Sequence, residues 1–596
     1  MTDMSTRPTL RGTFGMVSST HWLASQSAIA ELESGGNAFD AAVAGAFVLH
    51  VVEPHLNGPG GEVPAVFATA ADPTPTVLCG QGTAPAEATP DHFRGLGLDL
   101  VPGSGPLATT VPGAVDAWLM LGRDHGTRSV REVLSYAIGY ARHGHPLLPR
   151  AAGLIAAMEP MFTEHWPTSA ELWIPHGEPP GPWQRVVNVA YADVLDRLVA
   201  AAEAAGRGRD TQFDAARTAW REGFVAAAVD AFQRRPFLDS SGDAHAGVLT
   251  AEDMAQWQAS YEPAVVQTFR DVEVAKTDLW GQGPALLASL AMLDRLPDEA
   301  LDPSTAEGAH VAVEVLKLAL ADREAWYGDL GAVSVGELLD PPYVAARLAL
   351  VEDVASTELR PGRPGGRPPR LAEHVRRQPG DADAQNAPDV GEPTVSWAGE
   401  LRGDTCHIDV VDRWGNIISA TPSGGWLQSS PTVPELGFCL GSRMQMFWLD
   451  DGLPSSLAPG RRPRTTLSPT LVLRDGVPVL ACGTPGGDQQ DQWQLPFLLR
   501  HLVGGMELQE AIDAPPFHTL SVPSSFYPRE TSPGELVVED RLGDDVIAAL
   551  ASRGHRVTRA GPWALGRLCA VERDPDDGVL SAAANPRGAQ GYACGR

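Results

Sequence analysis

The stretch Gly403-Asp404-Thr405-Cys406-His407-Ile408-Asp409-Val410-Val411-Asp412 decides the fold. Its second half is a β-branched run typical of a buried strand. The turn residues Arg413-Trp414-Gly415-Asn416 follow, and residues 417–421 predict a second strand. Thr405 therefore stands at the opening of a predicted β-hairpin. Because threonine favours strands, this stretch alone also allows a purely structural threonine.

A threonine hydroxyl is a weak nucleophile, and this stretch places no lysine or histidine beside it to act as its base. If the bond between Asp404 and Thr405 were cut, the new α-amino group would have a pKa of about 8. That amine would stand on the nucleophile itself, so one residue would supply both nucleophile and base. Residues 356–400 are rich in Pro, Gly, Arg and Asp with little apolar periodicity, and we expect a mobile linker there.

Composition and charge exclude several classes of protein. The chain has 596 residues, enough for roughly two to four domains or one large two-layer enzyme. Its net charge of −29 provides no basic footprint, so we expect neither nucleic acid nor an anionic membrane as a partner. The longest apolar run, residues 41–52, is too short to span a bilayer. Residues 1–8 lack the apolar core of a secretory signal, and we expect a cytoplasmic protein.

Cysteine and histidine spacing gives no sign of a metal or a cofactor. The six cysteines are scattered without a Cys-x-x-Cys pair, which indicates neither a zinc site nor a disulfide framework. His143 and His145 flank a glycine with no third ligand nearby, so we expect both at the surface. We predict a protein that uses neither a metal nor a cofactor.

The first sixty residues predict two helices and a glycine-rich loop. We expect Ser18-Ser19-Thr20 to cap the first helix and Asn37 to cap the second. The second helix is apolar all round from Ala41 to Leu49, which predicts burial between layers. The loop Gly58-Pro59-Gly60-Gly61 that follows lacks the lysine and hydroxyl of a phosphate-binding loop, so we predict no nucleotide.

A second glycine-rich loop lies late in the chain. The Asp475-Gly476 pair predicts a hairpin whose later strand runs into Gly483-Thr484-Pro485-Gly486-Gly487 and then a helix near Gln489. Backbone N–H groups of a glycine loop at a helix start can hold an anion or a developing oxyanion. A plain turn would use the same residues, and Asp488 would repel a phosphate.

Seven short motifs along the chain resemble one family. They are, in order, residues 15–21 (GMVSSTH), 35–42 (GGNAFDAA), 51–54 (VVEP), 318–323 (LALADR), 462–470 (RPRTTLSPT), 485–487 (PGG) and 513–518 (DAPPFH). Together they are similar to the γ-glutamyltransferases, which are self-cleaving N-terminal-nucleophile hydrolases. The likeness keeps the family's order from about residue 12 to Pro586-Arg587.

The resemblance implies an α+β fold, the four-layer αββα sandwich of N-terminal-nucleophile hydrolases. It also implies self-cleavage between Asp404 and Thr405. Residues 1–404 would form a large, helix-rich subunit that ends in the linker, and residues 405–596 would form a small subunit that starts at the nucleophile. The two fragments would stay associated as one core, and homodimers of processed protomers are compatible with this arrangement.

By the same resemblance, Thr405 is the nucleophile and Ser423 stands where the family has a second threonine that contacts the nucleophile's amine. Gly486 and Gly487 correspond to the oxyanion hole. Thr465 and Thr466 stand where the family has a pair of serines in the substrate pocket. Because hydroxyls replace hydroxyls at these positions, we expect the family's chemistry to be intact.

The positions that hold a γ-glutamyl group differ from the family's pattern. Gln81 stands in place of the arginine that binds the substrate's α-carboxylate, Gly425 in place of an asparagine, and Met446 in place of the acid that binds the α-amino group. Each lost charge-assisted hydrogen bond costs roughly 1.5 to 3 kcal/mol. We therefore do not expect glutathione as the substrate. Arg443, which replaces a neighbouring polar residue, is expected to bind a carboxylate on a shorter acyl group without an amine.

The sequence thus predicts a self-processed acyl hydrolase or amidohydrolase that cleaves a small carboxylate-bearing amide, oxamate-like, through a Thr405 acyl-enzyme. Family members suggest two alternatives: γ-glutamyl transfer or glutathione hydrolysis, and carbon-carbon hydrolysis as in alkylproline antibiotic pathways. An unprocessed, non-catalytic binding protein is a further alternative. Cys406 is a local rival nucleophile beside His407, but adjacent strand residues point to opposite faces, so the two cannot form a dyad.

Overall fold

A computed structural model describes residues 5–331, 333–377 and 405–596 of the chain. Two seven-stranded sheets form its centre, and every strand pair within them is antiparallel. Within the described ranges, none of the helices is both long and apolar enough to cross a bilayer.

The first sheet contains the predicted hairpin at its middle. Its strands, in spatial order, are Tyr592–Gly595, Gly15–Ser19, Ile408–Asp412, Ile417–Ala420, Val63–Ala68, Thr76–Gly80 and Ser260–Pro263. The second sheet contains the hairpin predicted around Asp475-Gly476. Its strands, in spatial order, are Leu10–Gly12, Leu580–Ala584, Cys569–Arg573, Val477–Gly483, Thr470–Arg474, Val272–Lys276 and Val265–Phe269.

The alternation of side chains along the strands packs the two sheets face to face. Val411 and Ile417 of the first sheet meet Leu471 and Ala481 of the second in one buried apolar layer. Val410, one residue before Val411, points to the opposite face and joins the core under the helices. Each strand of the hairpin is thus buried on both sides.

Helices cover the outer face of each sheet, which makes the fold the predicted four-layer αββα sandwich of α+β class. The helices on the side of the first sheet are Trp22–Glu33, Ala38–Val52, Ala114–His125, Val130–His143, Pro149–Glu164, Pro167–Trp173, Val189–Ala204, Arg209–Arg221, Phe224–Gln233 and Ala251–Gln256. Those on the side of the second sheet are Pro284–Leu293, Ala306–Trp326, Val335–Leu338, Pro341–Leu348, Gln490–Leu498, Leu508–Asp513 and Asp544–Ser552. A three-stranded sheet of Phe517–Thr519, Glu535–Val538 and Arg556–Arg559 packs beside the second group.

The helix Ala38–Val52 is buried along its whole length, as its all-apolar sequence predicts. Asn37 caps it through a capping box with Asp40. Asp412, at the end of the hairpin's first strand, accepts a hydrogen bond from the N–H of Ala38 at 2.9 Å. The start of the most buried helix is therefore tied to the hairpin.

Two local expectations are corrected by the structure. The helix Trp22–Glu33 is capped by the side chain of His21, because residues 18 and 19 belong to the preceding strand. His145 is buried, while His143 is exposed. Residues 356–362 contact the helix Ala306–Trp326, where the N–H of Gly362 donates to Asp322 and Trp326 donates to the Gly362 carbonyl. That this segment is a mobile linker stays a prediction. Residues 378–400 of the expected linker, and Asp404, lie outside the described residues.

We predict that Gly483→Ala destabilises the protein by about 1 to 3 kcal/mol, the usual cost of overpacking a core. A Cβ at this position would lie 2.2 Å from the His407 ring, across the contact between the sheets. Gly139→Ala is the matched control, because a Cβ there meets nothing within 4 Å inside the helix Val130–His143. It should be neutral or stabilising by up to about 1 kcal/mol. Thermal unfolding of both variants measures the difference, and equal effects would contradict the described packing.

Candidate active site

Thr405 is fully buried and lies just before the strand Ile408–Asp412 of the first sheet. It forms a β-bridge with Ser423, and its Oγ1 lies 3.2 Å from the Ser423 Oγ. Three residues further on, Ile408 pairs with Ser19 on one side and Ala420 on the other. The sheet therefore fixes the position of the predicted nucleophile and brings it to the predicted second hydroxyl.

Cys406 points away from His407, as the strand geometry requires. Its Sγ donates to Glu53 at 3.0 Å, and the Thr20 hydroxyl donates to the same carboxylate oxygen at 2.6 Å. Burial, together with the neighbouring Glu53 carboxylate, raises the pKa of the Cys406 thiol well above its usual value. A thiol that resists ionisation is a poor nucleophile, so the geometry leaves Cys406 a structural role.

His407 lies on the other face of the strand, toward the second sheet. Its Nε2 lies 2.8 Å from Asp409 and its Nδ1 lies 2.9 Å from the Thr421 hydroxyl. Burial raises the pKa of Asp409, and His407 opposes that shift. Both ring nitrogens are thus engaged within the contact between the sheets.

Arg443 is buried beside Ser423. One of its terminal nitrogens donates to the Ser423 Oγ at 3.1 Å, and its Nε donates to Glu62 at 2.6 Å. The guanidinium also lies 5.4 Å from the centre of the Trp426 ring. Ser423 therefore links the cationic side chain of Arg443 to Thr405 Oγ1.

Glu62 is the residue that sequence reasoning missed. It directly follows the glycine-rich loop of residues 58–61, for which the sequence predicted only that no nucleotide binds. A Cβ at Gly61 would lie 2.0 Å from the Ser423 carbonyl, so glycine is required for this close approach. The signal in the sequence was the glycine run itself, because such runs mark places where two backbones touch.

Gly486 and Gly487 follow the strand Val477–Gly483 and have φ angles of 132° and 53°, which favour glycine. A Cβ on Gly486 would lie 2.2 Å from the Trp493 ring. Asp488 forms a salt bridge with Arg323 and accepts from the N–H of Ser525 at 2.8 Å. The loop is therefore a tight, buried turn at the start of a helix, a position suited to holding an anion.

The other predicted pocket residues, Gln81, Thr465 and Thr466, are also buried. The N–H of Thr465 donates to the Trp280 carbonyl at 2.8 Å, and the amide of Gln81 donates to the Gly82 carbonyl at 3.1 Å. The Thr466 hydroxyl has no hydrogen-bond partner within the described ranges. In the same part of the chain, no hydrogen bond joins these three side chains to Thr405.

Comparison with known proteins identifies the family. The family model described as Gamma-glutamyltranspeptidase matches residues 24–595. The chain belongs to the γ-glutamyltranspeptidase family. It is a hydrolase of the N-terminal-nucleophile type, since its relatives in this family are glutathione hydrolases, acylases and an oxamate amidohydrolase.

Three comparisons show how the family likeness extends over the whole chain. A solved structure, LmbA2991T421A, shares 56% identity with a TM-score of 0.93 and covers 100% of both chains. The Oxamate amidohydrolase proenzyme of Klebsiella pneumoniae is 29% identical and covers 96% of this chain and 97% of its own. The Glutathione hydrolase proenzyme of Bacillus subtilis (strain 168) is 27% identical and covers 96% of this chain and 90% of its own.

One group of potential metal ligands is found among the described residues of this γ-glutamyltranspeptidase-family protein. His310, Glu314 and His555 place their ligand atoms within 4.8 Å of one another. Glu314 already receives Lys317 at 2.6 Å and Arg360 at 3.2 Å. These two cations balance the carboxylate and disfavour a divalent ion, so ion pairing accounts for the group.

We expect Cys406→Ser to leave this γ-glutamyltranspeptidase-family enzyme self-processed and active within about twofold, because a hydroxyl can still donate to Glu53. Cys439→Ser, at another buried cysteine, serves as the matched control. Denaturing electrophoresis and steady-state rates measure both variants. A loss of processing or activity by several orders of magnitude in Cys406→Ser alone would make Cys406 the nucleophile.

Proposed function

We propose that the chain is a self-processed acyl hydrolase that cleaves a small carboxylate-bearing amide, oxamate-like, or a related acyl compound through a Thr405 acyl-enzyme. The observation that carries the proposal is the burial of Thr405 just before the strand Ile408–Asp412, with its hydroxyl oxygen 3.2 Å from the Ser423 Oγ. Relatives that carry the names of an oxamate amidohydrolase and of acylases, all proenzymes, support it.

Processing would use the same hydroxyl as turnover. In the uncut chain, the Thr405 Oγ1 attacks the carbonyl carbon of Asp404, the peptide nitrogen leaves, and an ester joins the two residues. Water then hydrolyses that ester. The products are a carboxylate on Asp404 and a free α-amine on Thr405.

In turnover, the Thr405 amine takes the proton of its own hydroxyl as the oxygen attacks the substrate carbonyl. The N–H groups of Gly486 and Gly487 hold the oxyanion. The leaving amine departs with the proton from the Thr405 ammonium. Water, deprotonated by the amine, then attacks the acyl-enzyme and restores the threonine hydroxyl.

Ser423 and Arg443 would orient the reactants. Arginine has only donors, so the Ser423 Oγ accepts from Arg443, and the serine hydrogen can point to Thr405 Oγ1. That arrangement directs the threonine's own hydrogen toward its amine. Arg443 would also bind the substrate's carboxylate, while Gln81, Thr465 and Thr466 line the pocket.

The family's glutathione hydrolases keep γ-glutamyl transfer as the second candidate. A γ-glutamyl anilide, assayed with and without a dipeptide acceptor, separates the two. We expect slow or no release of the anilide and no stimulation by the acceptor. Release that the dipeptide accelerates would favour γ-glutamyl transfer.

We predict that the purified wild-type chain of 63.1 kDa separates into two fragments, residues 1–404 and 405–596, on denaturing gels. Thr405→Ala should remain one band, because no hydroxyl is present to attack the preceding carbonyl. Thr405→Ser, which keeps the hydroxyl, is the control and should be cut, although more slowly. A single wild-type band that behaves like Thr405→Ala would remove the mechanism.

The kcat/KM of the processed enzyme should rise with pH through about 8, the pKa of an unperturbed α-amine, because only the neutral amine accepts the proton. Below that pH the Thr405 ammonium has no lone pair, and the rate should fall about tenfold per pH unit. A pH profile with a carboxylate amide measures this dependence. A rate that is flat between pH 6 and about 9 would contradict a base on Thr405.

A further inference from the structure

We propose that Glu62 determines which acyl groups the pocket accepts, because it competes with the substrate's carboxylate for Arg443. This inference rests on the proposed function, in which an acyl group enters beside Thr405 and Arg443 faces it. It adds a specificity-determining residue that none of the family motifs contains.

The backbone of Glu62 is pinned to the active-site strand. Its N–H donates to the Ser423 carbonyl at 2.8 Å, and the N–H of Ser423 donates back to the Glu62 carbonyl at 3.0 Å. Ser423 is the residue whose side chain meets Thr405. Two backbone hydrogen bonds thus hold Glu62 against Ser423, the residue that contacts Thr405.

The side chain of Glu62 is fitted into its place. Its Oε1 accepts from Arg443 Nε at 2.6 Å and lies 2.5 Å from a terminal nitrogen of the same guanidinium. A Cβ on Gly424 would lie 2.5 Å from its Oε2, so a larger residue at 424 would displace the carboxylate. Two Arg443 nitrogens contact Oε1 of Glu62, and Gly424 lies against its Oε2. The ion pair is therefore held in one geometry.

Burial strengthens the electrostatic interaction between Glu62 and Arg443. The side chains of Glu62 and Arg443 are 1% and 0% exposed. Water therefore screens their interaction little, and the cost of leaving either charge unpaired is high. Burial raises the pKa of Glu62, and Arg443 opposes that rise. A second anion at Arg443 would meet the Glu62 carboxylate that is already paired with it.

A substrate carboxylate at Arg443 would bring that second charge. Two carboxylates at one guanidinium repel each other. The substrate carboxylate must therefore compete with Glu62 for Arg443. A neutral acyl group meets no such repulsion. The wild-type pocket should therefore favour carboxylate substrates much less than an unpaired arginine would.

Glu62→Gln tests this inference with oxamate and its neutral counterpart oxamide. Glutamine keeps the size and an acceptor oxygen but removes the negative charge. We expect the ratio of kcat/KM for oxamate over oxamide to rise at least about tenfold, mainly through a lower KM for oxamate. Binding of oxalate, measured by calorimetry, should tighten by a similar factor.

The control is Glu539→Gln, because Glu539 forms an equally buried pair with Arg587, at 2.7 Å, outside the site. It should leave the ratio unchanged. If Glu62→Gln does not fold, Glu62→Ala is the second variant that removes the negative charge, and its ratio should also rise above that of the wild type. An unchanged ratio in folded Glu62→Ala would overturn the inference.

An unchanged oxamate-to-oxamide ratio in folded Glu62→Gln, with unchanged oxalate binding, would overturn the role of Glu62 alone. An equal shift in Glu539→Gln would do the same. Failure of the proposed function looks different, since the processed wild type would then turn over neither amide. In that case oxalate binding still decides the inference, because tighter binding to Glu62→Gln supports it and unchanged binding overturns it.

Discussion

The structure depends on the pairing of the strand Ile408–Asp412 with a neighbour on each side. Gly15–Ser19 lies along one edge and Ile417–Ala420 along the other, so the strand cannot shift without breaking both ladders. Both of its faces are buried, one under the helices and one against the second sheet. A one-residue slip would exchange those faces, and Thr405 would lose its place. The buried strand Ile408–Asp412 therefore fixes the position of Thr405, the predicted nucleophile.

Three buried carboxylates lie on the hairpin or contact the residues that flank it, and each has its own partner. Glu53 accepts from Cys406, Asp409 contacts His407, and Glu62 is paired with Arg443. Burial raises the pKa of all three, and the partners oppose the rise. Glu53 and Asp409 lie on opposite sides of the strand and hold it. Glu62 differs because its partner, Arg443, also donates to Ser423 beside Thr405. Of the three acids, it is therefore the one we propose to affect substrate binding.

Sequence patterns predicted the parts of the fold that local rules govern. The hairpin and the Asn37 cap follow from β-branched runs, turn residues and cap chemistry, and the structure confirms both. The αββα layers were predicted from the resemblance to the γ-glutamyltransferases, because sequence periodicity does not show which sheets pack against each other. His21 replaced the expected cap because Ser18 and Ser19 belong to the strand before the helix. Burial of His145 and packing of residues 356–362 depend on tertiary contacts that no local pattern encodes.

The site was predicted less completely, for a related reason. Thr405, Ser423 and Arg443 were named from sequence, and the structure brings their side chains together. The partner of Arg443 lies 381 residues away along the chain, and no local pattern could connect them. The roles of Gly486 and Gly487 remain predictions, although their position at a buried helix start is suited to them.

The most direct test of the account is to trap the covalent intermediate. Processed enzyme is mixed with an amide substrate, quenched in acid within a turnover and mapped by peptide mass. The account predicts the acyl group on the peptide that begins Thr405-Cys406-His407, bound to the threonine oxygen. An acyl group on Cys406, or turnover by a chain whose residue 405 still carries its preceding peptide bond, would contradict it.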